Sequence, residues 1–203
     1  MGKANLNKLQ KRNALFQTAF DLFTNKGFAK TTISDIVNQA GLAKGTFYLY
    51  FKDKYDLRDK LIISQTSQLF GRAHEAMAQH KNLSFEDQII TFADYIIGEF
   101  EKNPPLLRFI SKNLSWGIFK NAFERQIPEE SQELLDYCIS QMAECGIECK
   151  QPELMLFTII ELVGSTAHSC ILYHEPVQMD MYLPYLHETI RDIFERYTSK
   201  AAE

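Results

Sequence analysis

Lys44, Thr46, Tyr48 and Tyr50 stand close together in the run AKGTFYLYFKDK, with Gly45 among them. One ammonium and three hydroxyls make a set of hydrogen-bond donors, and Gly45 beside Thr46 lets the backbone come close to a phosphate. The elements that must present these groups are legible around them. Thr31 or Thr32 can N-cap a helix. Ile33, Ile36, Val37 and Ala40 then fall at helical spacing and form an apolar face. Gly41 stands where the turn needs a left-handed residue, and Leu42 follows as a core plug. A second helix runs from Ala43 to Tyr50, with Phe47 and Phe51 four apart on its buried side, so Lys44, Thr46, Tyr48 and Tyr50 point outward. Lys52-Asp53-Lys54 is a polar link in which Asp53 N-caps the next helix. Residues 31 to 54 therefore have the grammar of a helix-turn-helix, a device for placing one helix in the DNA major groove.

This segment closely resembles the DNA-binding domain of the TetR family of bacterial transcription regulators. The resemblance lies in AGLAKGTFYLYFKDKYDL, in the preceding TTISDIV and in the FTNKGFAKTT before that. It covers roughly the first third of the chain. It implies that Lys44 to Tyr50 is the recognition helix. Lys44 would read guanine or hold a phosphate. Thr46 and Tyr48 would donate to phosphate oxygens and fix register. Tyr50 would reach a phosphate or a base edge, although it also fits packing between helices. Thr32 would offer its hydroxyl and N–H to the DNA backbone, and Lys54 would be a further phosphate anchor. Phe47 and Phe51 belong to the core.

The whole chain of 203 residues carries a formal charge of −4, which alone argues against nucleic acid. Its distribution argues the other way. Residues 1 to 60 hold eleven Lys/Arg against five Asp/Glu, a net +6, and the remainder holds eleven against twenty-one, a net −10. A basic head on an acidic body suits a protein that meets DNA with one end. The basic leader contributes Lys3, Lys8, Lys11 and Arg12. No signal peptide is read at the N-terminus and no stretch is read as long enough to span a membrane, so a cytoplasmic protein with no membrane partner is expected.

Helical patterning covers the chain. A first helix is expected over 8–26, closed by Gly27, and a long one from about Asp53 to His80 links the head to the body. Further helices are expected over 84–102, stopped by Asn103-Pro104-Pro105, then over 106–119, 128–145, 152–173 and 179–198. No strand pattern stands out. The expected fold is all-α, about nine helices, with a helix-turn-helix domain over 1–54 and a helical effector-binding and dimerisation domain over 55–203.

In the body, the 152–173 helix is apolar on almost every face and needs neighbours on both sides. The second neighbour would be the same helix of another subunit, with the last helix beside it, as the resemblance also implies. Phe157, Ile160, Gly164, Ile171, Leu186, Ile190 and Phe194 are the expected interface. Two heads roughly 34–36 Å apart would then read a near-palindromic operator. The resemblance also suggests a cavity for an apolar or amphipathic small molecule. Mixed aromatic and polar residues on the middle helices would line it: Phe92, Tyr95, Phe109, Asn113, Trp116, Phe119 and His168. An ordinary aromatic core explains the same residues.

The function expected is a homodimeric repressor released from DNA by that ligand. A DNA-binding regulator without a small-molecule ligand is the first alternative. A redox or metal sensor built on Cys138, Cys145, Cys149 or Cys170 is another, although no C-x-x-C pair is present. Nucleophile elbow, phosphate loop and zinc motif are all missing, so neither an enzyme nor a cofactor is expected.

Overall fold

A computed structural model describes residues 3–77, 83–111, 116–117, 119–120 and 134–200. The chain divides into two compact units, Met1–Gln65 and Thr66–Glu203, and the division falls inside one continuous helix. Nine α-helices are present among the described residues.

In the first unit, α1 spans Lys3–Asn25, five residues longer at its start than its apolar stripe suggests. Gly27 ends it with φ +88°, a conformation that costs glycine little. The buried Thr31 hydroxyl then donates to the Gly27 carbonyl at 2.9 Å. α2 (Ile33–Gln39) is N-capped by Thr32 in a full capping box with Asp35, so of the two threonines Thr32 is the cap. Gly41 takes φ +67° and the Leu42 N–H closes on the Val37 carbonyl at 2.9 Å. α3 spans Lys44–Tyr48 and α4 spans Lys54–Met77. The Asp53 carboxylate accepts from the N–H groups of Tyr55 and Asp56, each at 2.8 Å, as expected of an N-cap. Leu15, Ala19, Ile36, Phe47, Leu57 and Leu61 are fully buried and make the core of this unit.

The second unit contains the rest of α4, then α5 (Phe85–Lys102), α6 (Pro104–Ser111) and α7 (Leu134–Glu144). α6 starts two residues before the expected position. The prolines that end α5 need no N–H in the first turn of α6, and Asn103 caps it by accepting from the Leu106 N–H at 3.1 Å. α8 (Pro152–Leu172) packs against α5, α6, α7 and α9 (Met179–Tyr197). Arg191 of α9 pairs with Glu86 and with Asp87 (2.8 Å), and His187 lies 2.7 Å from Asp94, so polar ties join α9 to α5.

Two expectations need correction here. The structure has a small sheet: β1 (Ile147–Cys149) pairs antiparallel with β2 (Thr198–Lys200), Glu148 opposite Ser199. Three residues are too few to display alternation, so the pair left no pattern in the sequence. And α8 is, by length and composition, long and apolar enough to cross a membrane, although no stretch was read as such. Only a third of its most apolar window is buried. Met155, Leu156, Ile159, Val163, Ala167 and Cys170 enter the core, while Leu154 and Phe157 are 50% and 40% exposed. α8 is thus covered on one side by its own chain, not on nearly all sides.

Candidate nucleic-acid interface

Phe47 sets the orientation of α3. It is fully buried, 5.5 Å from Phe51 between ring centroids, and Phe51 in turn lies 5.3 Å from Phe16 of α1. With that side locked, the remaining α3 side chains are turned toward solvent. Lys44 and Gly45 are exposed, Tyr48 is 53% exposed, and Thr46 is half-buried. Tyr48 keeps edge contact with Phe47 at 5.4 Å, so its ring is braced while its far end is free.

Tyr50 lies outside the helix, where the sequence placed it inside. The last turn tightens: the Leu49 N–H donates to the Thr46 carbonyl and the Tyr50 N–H to the Phe47 carbonyl, a three-residue spacing. The chain must leave α3 early because Asp56 accepts from the Lys52 N–H at 2.8 Å while Asp53 starts α4. Tyr50 is half-buried, its ring 6.2 Å from Phe51.

Thr32 is exposed at the start of α2, but its polar groups are partly used. Its N–H donates to the Asp35 carboxylate at 2.9 Å and its hydroxyl oxygen accepts from the Asp35 N–H at 3.0 Å. Asp35 would repel a phosphate, and Lys26 offsets it with an ion pair at 2.7 Å. The Lys26 ammonium, followed by the Thr32 N–H and hydroxyl, holds the Asp35 carboxyl down to about 2.

Lys54 does something the sequence did not reveal. Its ammonium donates to the carbonyls of Phe28 (2.8 Å) and Thr31 (2.9 Å) and sits 4.4 Å from the Phe28 ring centroid. Two of three donors are spent tying the α1–α2 connection to α4.

The charge on this unit is not neutralised internally. Residues 1–65 keep the net +6, since 61–65 add no charge. Lys26, Arg58 and Lys60 pair with aspartates. Among the described residues, Lys8, Lys11, Lys30, Lys44 and Lys52 have no carboxylate within ion-pair distance. Lys30 was not singled out in the sequence, and Lys52 was read there only as part of a polar link.

In the second unit an aromatic series is assembled. Phe92 lies 5.6 Å from Phe70, Phe70 lies 5.2 Å from Phe119, Phe119 stacks on Trp116 at 5.6 Å, and Trp116 meets Phe157 edge-on at 5.7 Å. The Trp116 indole N–H donates to Glu153 at 3.0 Å. Phe92, Phe119 and Trp116 are therefore linked through ring contacts by way of Phe70, an arrangement that an aromatic core also produces. Phe109 is buried and Tyr95 half-buried on α6 and α5. His168 is not part of the series: its ring partner is Tyr173, at 5.4 Å. Asn113 lies outside the described residues.

Three expected interface residues belong elsewhere. Leu186 and Ile190 are fully buried and Phe194 is 6% exposed, so they fill the protomer's own core and have no surface to offer a second subunit. Phe157, Ile160, Gly164 and Ile171 do retain exposed area. The thiols differ in access: burial pushes Cys138 up to about 12 and raises Cys149 and Cys170, and Cys145 is exposed. No group of three or more metal-ligating side chains is present among the described residues.

Comparison with known proteins bears on both units. Residues 15–61 match the family model described as bacterial regulatory proteins, tetR family. Over 198 residues the chain is 26% identical to YhgD, an uncharacterized HTH-type transcriptional regulator of Bacillus subtilis, covering 95% of this chain and 96% of that one. The fold resembles that of a tetR family transcription regulator from Shewanella sp. PV-4, with TM-score 0.67, 17% identity, and coverage of 94% and 99%. It also resembles the transcriptional regulator FadR of Bacillus subtilis, solved in complex with stearoyl-CoA, with TM-score 0.63, 16% identity, and coverage of 87% and 96%.

Proposed function

This chain belongs to the TetR family of bacterial regulatory proteins, DNA-binding transcription regulators and not enzymes, and from that premise we propose that it is a cytoplasmic homodimeric repressor of a near-palindromic operator, released by an apolar or amphipathic ligand. The observation that carries the DNA half of this reading is the orientation of α3. Phe47 is locked inside, and an unpaired Lys44 and a braced Tyr48 are turned out on a unit of net charge +6. Lys44 reads a base edge or grips a phosphate. Thr46, Tyr48, Tyr50 and the Thr32 hydroxyl donate to phosphates. Gly45 permits close approach, and Lys54 offers its third donor.

The dimer is supported by α8, whose Leu154, Phe157, Ile160, Gly164 and Ile171 leave an apolar helix half-covered. A contiguous apolar face of this kind is a partner surface. Two protomers joined there carry two α3 helices, as a two-fold operator requires.

The ligand site is the aromatic series Phe92, Phe119 and Trp116, with Phe109 and Tyr95 as further candidates in the same unit. α4 begins in the first unit and contributes Phe70 to this series in the second. A ligand that repositions α4 alters DNA affinity, and linkage requires DNA to alter ligand affinity by the same factor. A long-chain acyl-CoA, the class bound by the Bacillus subtilis FadR, is the first probe.

Selection of bound fragments from random DNA tests the reading. The expected winner is two-fold symmetric, and its affinity falls steeply as salt rises. An unsymmetric winner, or none, rejects it.

A further inference from the structure

We propose that Leu49 is a base-reading residue whose side chain packs against the 5-methyl group of a thymine in the major groove. The inference rests on α3 being the helix that enters the groove.

Leu49 is 76% exposed, more than any other large hydrophobic residue among those described. It is the C-cap of α3, with φ −72° and ψ −20°, so helical geometry still fixes its direction. Phe47 defines the buried side. Leu49, two residues after it, lies about 200° around the helix, on the opposite side. Gly45, two residues before Phe47, lies about as far around in the other sense, and Gly45 and Leu49 are one turn apart on a common ridge. A Cβ built at Gly45 meets nothing within 4 Å, so internal packing does not demand glycine there.

The ridge of α3 farthest from the core therefore carries no hydrogen-bonding side chain. Lys44 and Tyr48 flank it on one side and Thr46 on the other. A helix seated in a groove meets phosphates with its flanks and base edges with its outermost ridge. Flanking donors thus suit the two backbones, and an apolar ridge is left for the base pairs. Only one base feature in the major groove is apolar, the thymine methyl group. A bare glycine one turn before Leu49 removes the side chain that would hold the helix away from it. An exposed leucine gains little in water, and covering a methyl group with it recovers hydrophobic area.

The test uses the full-length protein and the DNA sequence it selects. Each thymine is replaced singly by uracil, which deletes only the methyl group, and affinity is measured for wild type, Leu49→Ala and Tyr48→Phe. Wild type should lose about fourfold on single removal of the contacted methyl in either half-site, the value of one buried methyl group. Leu49→Ala should bind the thymine and uracil versions equally at that position. Tyr48→Phe should bind more weakly throughout but keep the methyl dependence. Because Leu49 is so exposed, its truncation should leave far-UV circular dichroism and thermal unfolding unchanged. A wild type indifferent to every thymine methyl, or a Leu49→Ala profile that keeps the same dependence, overturns the Leu49 assignment while the DNA-binding reading stands. Enrichment of no sequence at all overturns both.

Discussion

The Lys54 ammonium lies 2.8 Å from the carbonyl oxygen of Phe28, twenty-six positions earlier in the chain, and 4.4 Å from the centroid of that residue's ring. With the Thr31 carbonyl it ties the α1–α2 connection to the start of α4. A lysine read from the sequence as a phosphate anchor is thus a structural tie first. Lys54→Met keeps the aliphatic stem and removes the donors. It should destabilise the DNA-binding unit by about 2 kcal/mol, the scale of hydrogen bonds to a charged group. Lys44→Ala and Lys52→Ala should leave stability within about 0.5 kcal/mol and reduce the salt dependence of DNA binding instead. Denaturant unfolding of the three variants separates the roles. Unchanged stability in Lys54→Met would assign Lys54 to DNA alone.

Asp35 makes the stability of the same unit sensitive to acid. Its carboxyl is held down to about 2 by the Lys26 ammonium, then by the Thr32 N–H and hydroxyl. A carboxylate with a depressed folded-state pKa contributes stability above its unfolded value, and that contribution is lost as pH falls through the folded value. The window therefore runs from about pH 4 down to about pH 2. Asp35→Asn should flatten the stability profile across this interval, and Lys26→Met should shift the loss to higher pH. Thermal unfolding followed by circular dichroism at stepped pH is the measurement. A variant profile parallel to wild type would mean that Asp35 gains nothing from its partners.

What the sequence made legible and what it hid follow from the range of the forces involved. Thr32 as cap, Gly27 and Gly41 in left-handed turns, Asp53 before α4, and Phe47 and Phe51 inside were all readable, because each depends on residues within a turn or two. The Lys54 tie depends on carbonyls more than twenty residues away. The β1–β2 pair joins segments about fifty residues apart and is too short for a pattern. On α9 the apolar stripe of Leu186, Ile190 and Phe194 was visible, but periodicity says only that a face is covered. It does not say whether the cover comes from the same chain, as it does here, or from another.

Gly45 separates folding from recognition. Open space surrounds a Cβ at this position and φ is not positive, so Gly45→Ala should fold normally. Removing a glycine from a helix should even add about 0.4–1 kcal/mol of stability. The same methyl group projects from the ridge proposed to face DNA and should weaken operator binding at least about tenfold, a cost of about 1.4 kcal/mol. A stabilised protein with impaired binding is the expected pair of results. Intact binding would mean that the α3 backbone stays farther from DNA than proposed.

Gly164 offers a comparable test of the dimer. It sits midway along α8, half-exposed, and a Cβ there meets nothing within 4 Å in its own protomer. Phe157, Ile160 and Ile171 share its partly uncovered side of the helix. Gly164→Leu should therefore be tolerated by the protomer, and it removes a glycine penalty of about 1 kcal/mol from the helix interior. In a dimer built on paired α8 helices, the added side chain would stand between two backbones that need to approach closely. The variant should sediment as a monomer at concentrations where wild type is dimeric, and should lose operator affinity while keeping helical content. Leu186→Ala provides the contrast. Leu186 is fully buried in the protomer core, so its truncation should cost about 2–5 kcal/mol of stability with no added volume at the interface. If Gly164→Leu remains dimeric, the subunits meet through some other surface. The exposed Met181 and Tyr185 on the outer side of α9 would then be the next residues to charge.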